Sequence, residues 1–296
     1  MIPRPSLVAN VDSPVVRTQA IIDLRSENYE DVLDCVERSL DVQLDRTTAI
    51  RKRRSIGLRS DRDTWIRIEV RPLAKITGQG WNGVECASIV RGIAKPEWYR
   101  SVSWNDTLQG AMWRADETEL VRAAPVKPGG ILAVYPELPE SWWTTFNASL
   151  TALAEHTTTR VATPHTAPMT QNRLTSIIDS VFPGGVDTAI NEWTASHADL
   201  NWANITAPDC YLLDWEDWGM APRGLDAANL WMNSLAVADL ADRIRSERQV
   251  DLDSRSGKLS QLFFCCEIMT APVDYSGPLL EPARRAAAKL IDDLRS

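Results

Sequence analysis

The sequence predicts an α+β chain of two unequal lobes, a small β-rich lobe with one or two helices followed by a larger α-helical one. Three observations carry that expectation. Thr64-Trp65-Ile66-Arg67-Ile68-Glu69-Val70-Arg71 alternates apolar and charged side chains and stops at Pro72, as a half-buried strand does. The second half of the chain is dominated by segments with apolar residues at helical spacing. Between the two halves, residues 121 to 140 hold Pro125, Pro128, Gly129, Gly130, Pro136 and Pro139, a loop-rich connection. The expected division is residues 1–118 for the small lobe and 119–296 for the large one.

The elements follow in order. Tyr29, Val32, Leu33, Val36 and Leu40 fall on one face of a helix over 28–40. A strand pair follows, Thr47–Ile50 and Ser55–Leu58, on either side of the basic run Arg51-Lys52-Arg53-Arg54. That run reads as a solvated edge, or as a source of charge for phosphates. After the strand over 64–71, Val84–Ile93 reads as a helix that ends before Pro96, and Trp98–Trp104 and Ala111–Ala115 read as strands. Asp116–Leu120 would be the hinge between the lobes. The large lobe then opens with a helix over 141–156 whose Trp143, Phe146, Leu150 and Leu153 share a face, so Trp142 and Trp143 read as core. Helices over 172–182, 225–245, 259–269 and 282–294 complete it.

Composition narrows the function. With 296 residues, 44% of them hydrophobic, the chain is long enough for two lobes and ample core. A net charge of −8 argues against nucleic acid, which is held by Lys and Arg on its phosphates. No run approaches the roughly 18 apolar residues of a membrane span, and because Met1-Ile2-Pro3-Arg4-Pro5 leads into no apolar h-region, a secretory signal is not expected. Cys35, Cys86, Cys210, Cys265 and Cys266 are odd in number and contain no C-x-x-C pair, so neither disulfides nor structural zinc is expected. With only three histidines, nitrogen ligands for a metal are scarce. The expectation is a cytoplasmic protein, monomer or homodimer, acting on a small molecule.

The stretch His197-Ala198-Asp199-Leu200-Asn201-Trp202-Ala203-Asn204, followed by Leu212-Leu213-Asp214-Trp215-Glu216-Asp217, carries the chemistry. Phosphoryl transfer needs a carboxylate beside the acceptor hydroxyl, an oxygen ligand for a magnesium ion a few residues on, and a second carboxylate to bridge metal and nucleotide phosphates. Asp199, Asn204 and Asp214 supply those oxygens in that order. Tyr211-Leu212-Leu213 is a short buried-strand run, and a carboxylate just past such a run is poorly explained by packing.

With Gly219, Pro222-Arg223-Gly224 and Asp226 added, residues 190 to 232 resemble the aminoglycoside phosphotransferase-like small-molecule kinases, whose fold is protein-kinase-like. The resemblance implies ATP or GTP and Mg²⁺ as cofactors, Asp199 as catalytic base, Asn204 and Asp214 as metal ligands, and Asp226 as a brace for the catalytic loop. It also implies that His197 is part of the loop scaffold, although a histidine's ordinary pKa would equally let it act as a base. On the third strand the family carries a basic residue that grips the α and β phosphates and pairs with a helix carboxylate. Arg67 and Glu85 are the expected pair, with Arg71 and Lys75 as rivals to Arg67. The family usually has Lys there, and Arg meets phosphate with a planar fork, not a point charge.

Gly78-Gln79-Gly80-Trp81-Asn82-Gly83 matches a dinucleotide-binding glycine pattern. It lies seven residues beyond the strand at 64–71 and past Pro72, so it reads as a linker. The loop around Ser55-Ile56-Gly57 precedes the Arg67 strand but lacks the glycine pattern of protein kinases. Glu216, Asp217 and Trp218, with Trp215, could line a pocket for a cationic hydroxylated acceptor such as an aminoglycoside. Equally, Trp218 could be core and the two acids loop surface. The expected function is γ-phosphoryl transfer to a hydroxyl of a small cationic metabolite or antibiotic. A non-catalytic pseudokinase that binds nucleotide or a partner is the alternative.

Overall fold

A computed structural model describes residues 22–26, 28–73, 76 and 78–296. Met1–Pro5 and Lys75 lie outside them. Helix α1 (Glu30–Leu40) packs Leu33 and Val36 against a five-stranded antiparallel sheet. The sheet is built from β1 (Leu44–Arg51), β2 (Ser55–Ser60) and β3 (Thr64–Pro72). After the short helix α2 (Gly83–Ala87), β4 (Trp98–Asp106) and β5 (Ala111–Glu119) complete it, in the order β1-β2-β3-β5-β4.

Alternation along β3 sets the whole site. Ile66, Ile68 and Val70 enter the small-lobe core with Leu33, Val36 and Trp113, so Arg67, Glu69 and Arg71 face the opposite side of the sheet. Gly57 on β2 lies opposite Arg67, and any Cβ there would collide with the indole of Trp65.

The chain then runs through β6 (Ala124–Pro125), α3 (Glu140–Ala154) and α4 (Gln171–Val181). The short strands β7 (Trp193–Ser196), β8 (Thr206–Ala207) and β9 (Gly219–Pro222) follow, with β6 paired to β8 and β7 to β9. Helices α5 (Leu225–Met232), α6 (Ala238–Glu247), α7 (Gln249–Leu252), α8 (Arg255–Thr270) and α9 (Val273–Arg295) close the large lobe. Helix α8 is its centre: Leu262, Phe263, Phe264, Cys265 and Cys266 are fully buried. Among the described residues no helix is long and apolar enough to cross a membrane.

Three expectations change. The helix expected over 84–93 ends at Ala87: the N–H groups of Ser88 and Val90 bond the carbonyls of Glu85 and Ala87 three residues back, tight turns in place of the helical ladder. The strand expected to end at Ala115 continues to Glu119. Asp116 and Glu117 are therefore buried strand residues held by Arg114 and Arg100, and not a hinge. The helix expected over 225–245 breaks after Met232. There Asn233 and Ser234 turn their side chains back onto the carbonyls of Asn229 and Leu230, competing with the helical ladder.

Candidate active site

A cavity of about 860 Å³ lies between the sheet and the large lobe. Its size suits a small-molecule ligand. Lys52, Arg67 and Arg71 line it from the sheet, and Thr166, Asp199, Asp214 and Asp217 from the large lobe.

The loop after β7 is held by a buried acid. Asp226, in the first turn of α5, accepts the backbone N–H groups of His197 (2.7 Å) and Ala198 (2.8 Å), the brace that the family resemblance implies. These bonds hold Ala198 at φ 72°, and Asp214 on the second loop has φ 65°; both lie in the left-handed region that residues with a Cβ rarely occupy. Backbone strain of this kind persists only where its surroundings over-determine it. His197 is fully buried between the two chemical loops. Its Nε2 lies 2.7 Å from the Leu213 carbonyl, and its ring packs edge-on against Trp215 at 4.7 Å. A ring nitrogen that donates to a carbonyl is not available as a base for an acceptor.

Asp199 is oriented by two amides. Asn204 Nδ2 donates to Oδ2 at 2.8 Å and Asn201 Nδ2 to Oδ1 at 2.9 Å. With its NH₂ spent on Asp199, Asn204 Oδ1 has no hydrogen-bond partner among the described residues. The Leu213 N–H donates to the Asn204 carbonyl at 2.8 Å, so Asn204 and Asp214 sit on neighbouring paired segments. Asn201 was not foreseen. Nothing in a lone asparagine two positions past an aspartate distinguishes it from a turn former. Burial and the neighbouring Asp214 raise the Asp199 pKa above the ordinary carboxylate value, against the pull of His197 and the Asn204 hydrogen bond. Asp214 is lowered instead: burial opposes its charge, but Arg67 and then Lys52 outweigh it.

Among the described residues no group of three His, Cys, Asp or Glu could form a metal cage. Magnesium bound with a nucleotide takes only one or two protein oxygens, the phosphates supplying others. Asn204 Oδ1 and the Asp214 carboxylate fit such a role.

Arg67 and Glu85 are not brought together. Arg67 Nη1 meets Asp214 Oδ1 at 3.0 Å and its Nη2 meets Glu216. Glu85 instead meets Arg114 of β5 at 3.0 Å. The cause is the docking of α2: Gly83 rests on the backbone of Trp215 and Glu216, close enough that a Cβ would stand 2.5 Å from the Trp215 carbonyl oxygen. The glycine segment 78–83 is therefore a contact between the lobes, with Gln79 accepting from Arg160 and Gly80 from Arg71.

Arg71 shares the cleft with Arg67. Its Nη2 reaches Glu216 Oε2 at 2.9 Å and its Nε meets Glu69, so the expected rival of Arg67 stands in the same ionic cluster. Glu69 is pushed up to about 7 by burial and by the Glu216 charge. Glu216 is thus occupied by two guanidinium groups. Trp218 is 1% exposed, donates to the Gly83 carbonyl at 3.0 Å and stacks under Arg160, so it is core and not a wall of the cleft. Of the three acceptor-side candidates Asp217 alone faces the cavity without an ionic partner among the described residues. Its carboxylate accepts the Thr163 hydroxyl, and burial raises its pKa.

The Glu216 side chain is 17% exposed and joins arginines from one lobe to the loop of the other. Removing one partner of a buried ionic cluster leaves uncompensated charge, so Glu216→Ala should destabilise the protein by about 3 kcal/mol. Denaturant unfolding near neutral pH measures this. A loss within 0.5 kcal/mol, roughly the scale of a surface pair, would make the cluster incidental.

The arrangement defines a two-lobed, protein-kinase-like α+β fold with its acidic loops at the cleft. No family model matches the sequence, and no curated protein matches it. Solved structures do. The chain is similar to the aminoglycoside phosphotransferase APH(2")-IIia in complex with GDP and kanamycin, at 12% identity and a TM-score of 0.54 over 90% of this chain and 98% of that one. It is similar to APH(2")-IIa in a ternary complex with streptomycin and ATP, at 9% identity and a TM-score of 0.53 over 84% and 92%. With ADP-bound APH(2'')-Ib it shares 8% identity and a TM-score of 0.50 over 90% and 98%. At such identities the likeness is one of fold.

Proposed function

We propose that this protein is a phosphotransferase that moves the γ-phosphoryl group of ATP or GTP to a hydroxyl of a small cationic molecule. The observation that carries the reading is that Asp199 and Asp214 line one cavity, with Asn204 bonded to the Asp199 carboxylate, in a fold shared with aminoglycoside phosphotransferases. In this reading Asp199 orients the acceptor hydroxyl and takes its proton as the oxygen attacks the γ phosphorus. The bond from that phosphorus to the bridging oxygen breaks, and the nucleoside diphosphate leaves. Asn201 and Asn204 fix the rotamer of Asp199, which makes positioning the main contribution of this loop. Asn204 and Asp214 would hold Mg²⁺, which when bound offsets charge on the phosphates. Arg67, braced by Glu216, would face the α and β groups.

The acceptor side is acidic. Asp217 and Asp199 face the same cavity, and a cation with hydroxyl groups complements both. A screen of hydroxylated compounds with the wild-type enzyme tests the reading. The best acceptor should be cationic, with kcat/KM falling as salt rises, since charges are screened over about 8 Å at physiological ionic strength. Asp217→Asn should raise KM for that acceptor more than for the nucleotide. Phosphorylation of neutral or anionic alcohols alone, at rates insensitive to salt, would rule out the cationic acceptor and leave the phosphotransferase standing.

A further inference from the structure

We propose that the side chains of the β1–β2 turn, Lys52, Arg53 and Arg54, grip the polyphosphate of the nucleotide, taking the place of a glycine-rich backbone cradle; this rests on the phosphotransferase reading above. The turn stands over the cavity that also holds Asp199, Asp214 and Arg67, and all three basic residues line it. Its backbone is anchored. Lys52 N–H donates to the Ser55 carbonyl at 2.8 Å, the Arg54 carbonyl accepts from Val70 at 3.1 Å, and the Arg53 carbonyl accepts from Leu24 at 3.0 Å. The one glycine nearby, Gly57, is consumed by its contact with Trp65 and offers no close backbone approach to a phosphate.

Charge makes the same point. Arg67 and Arg71 are two cations bonded among three carboxylates, Glu69, Asp214 and Glu216, so their charge is already offset and a polyphosphate facing Arg67 calls for further cations. Lys52, Arg53 and Arg54 are exposed, and among the described residues none of them has an ion-pair partner. Lys52 is near enough to act electrostatically on Asp214, deep in the same cleft. Guanidinium forks and an ammonium on a long stem are the groups that bind phosphate oxygens by charge-assisted hydrogen bonds. Three of them on an exposed hairpin can close onto a ligand with no rearrangement of the core.

Calorimetry with two probes, Mg–ATP and magnesium tripolyphosphate, tests the assignment on the full chain. The variant carrying Lys52→Gln, Arg53→Gln and Arg54→Gln should bind both probes roughly 10- to 100-fold more weakly, on the scale of several charge-assisted contacts. Its salt dependence should be shallower and its Tm unchanged. Arg53→Lys with Arg54→Lys should retain most of the affinity, and Arg284→Gln, on the outer face of α9, should retain all of it. Wild-type affinity for Mg–ATP in the triple variant would overturn the role of the turn and leave the phosphotransferase reading intact. A loss confined to tripolyphosphate would overturn it too, since the turn would then bind anions away from the nucleotide. A wild-type protein that bound neither ATP nor GTP would overturn both readings.

Discussion

Asp199→Asn should lower kcat by roughly 10²-fold or more, the scale of general-base loss, while nucleotide affinity and fold persist. The substitution removes the proton acceptor and also disturbs its setting. Both carboxylate oxygens of Asp199 accept amide hydrogens, from Asn201 and Asn204. An asparagine amide has one oxygen, so one of those two donors would meet an NH₂ group. The wild-type acid limb of kcat/KM should lie above the ordinary carboxylate range, because burial raises the Asp199 pKa and the base works only when deprotonated. That limb should vanish in the variant. Turnover near the wild-type level, with the acid limb unmoved, would assign the base elsewhere.

Asp214→Ala should remove the magnesium-dependent part of nucleotide affinity. A bound divalent ion supplies several kcal/mol of charge stabilisation to phosphoryl oxygens, so the loss should reach roughly 10²-fold or more. The apo protein should remain folded, because Arg67 keeps Glu216 when Asp214 is gone. Calorimetry with ATP in the presence and absence of Mg²⁺ separates the two contributions. Equal affinities for wild type and variant in magnesium would move the metal to other oxygens.

The parts of this protein that were legible in the sequence are those governed by short-range pattern. Alternation from Ile66 to Val70 located β3 and its buried face, and helical stripes located α1, α3, α4 and α8. The spacing of His197, Asp199 and Asn204, with Asp214 beyond, marked residues that the chain brings together: Asp199 and Asp214 line one cleft, Asn204 bonds Asp199, and His197 is buried behind them against the Leu213 carbonyl. What escaped is governed by long-range packing. Whether Arg67 meets Glu85 or Glu216 depends on how α2 docks, and Arg67 and Glu216 lie 149 positions apart. Local propensity says nothing about such a pair. The break after Met232 has a local signal, Asn233-Ser234, but it is weak against the apolar stripe of Leu225–Met232. Asp116 and Glu117 were expected in the hinge from their place between the lobes, but they extend β5 and are buried. Their arginine partners, Arg114 and Arg100, make burial tolerable.

The most direct measurement of the central claim is phosphorus NMR of the wild-type protein incubated with Mg–ATP or Mg–GTP and a pool of hydroxylated cations, beside the Asp199→Asn variant. The account predicts a new phosphomonoester resonance that grows in step with nucleoside diphosphate in the wild type and is absent in the variant. Nucleotide left intact across the whole pool, or a phosphomonoester formed equally well by Asp199→Asn, would contradict it.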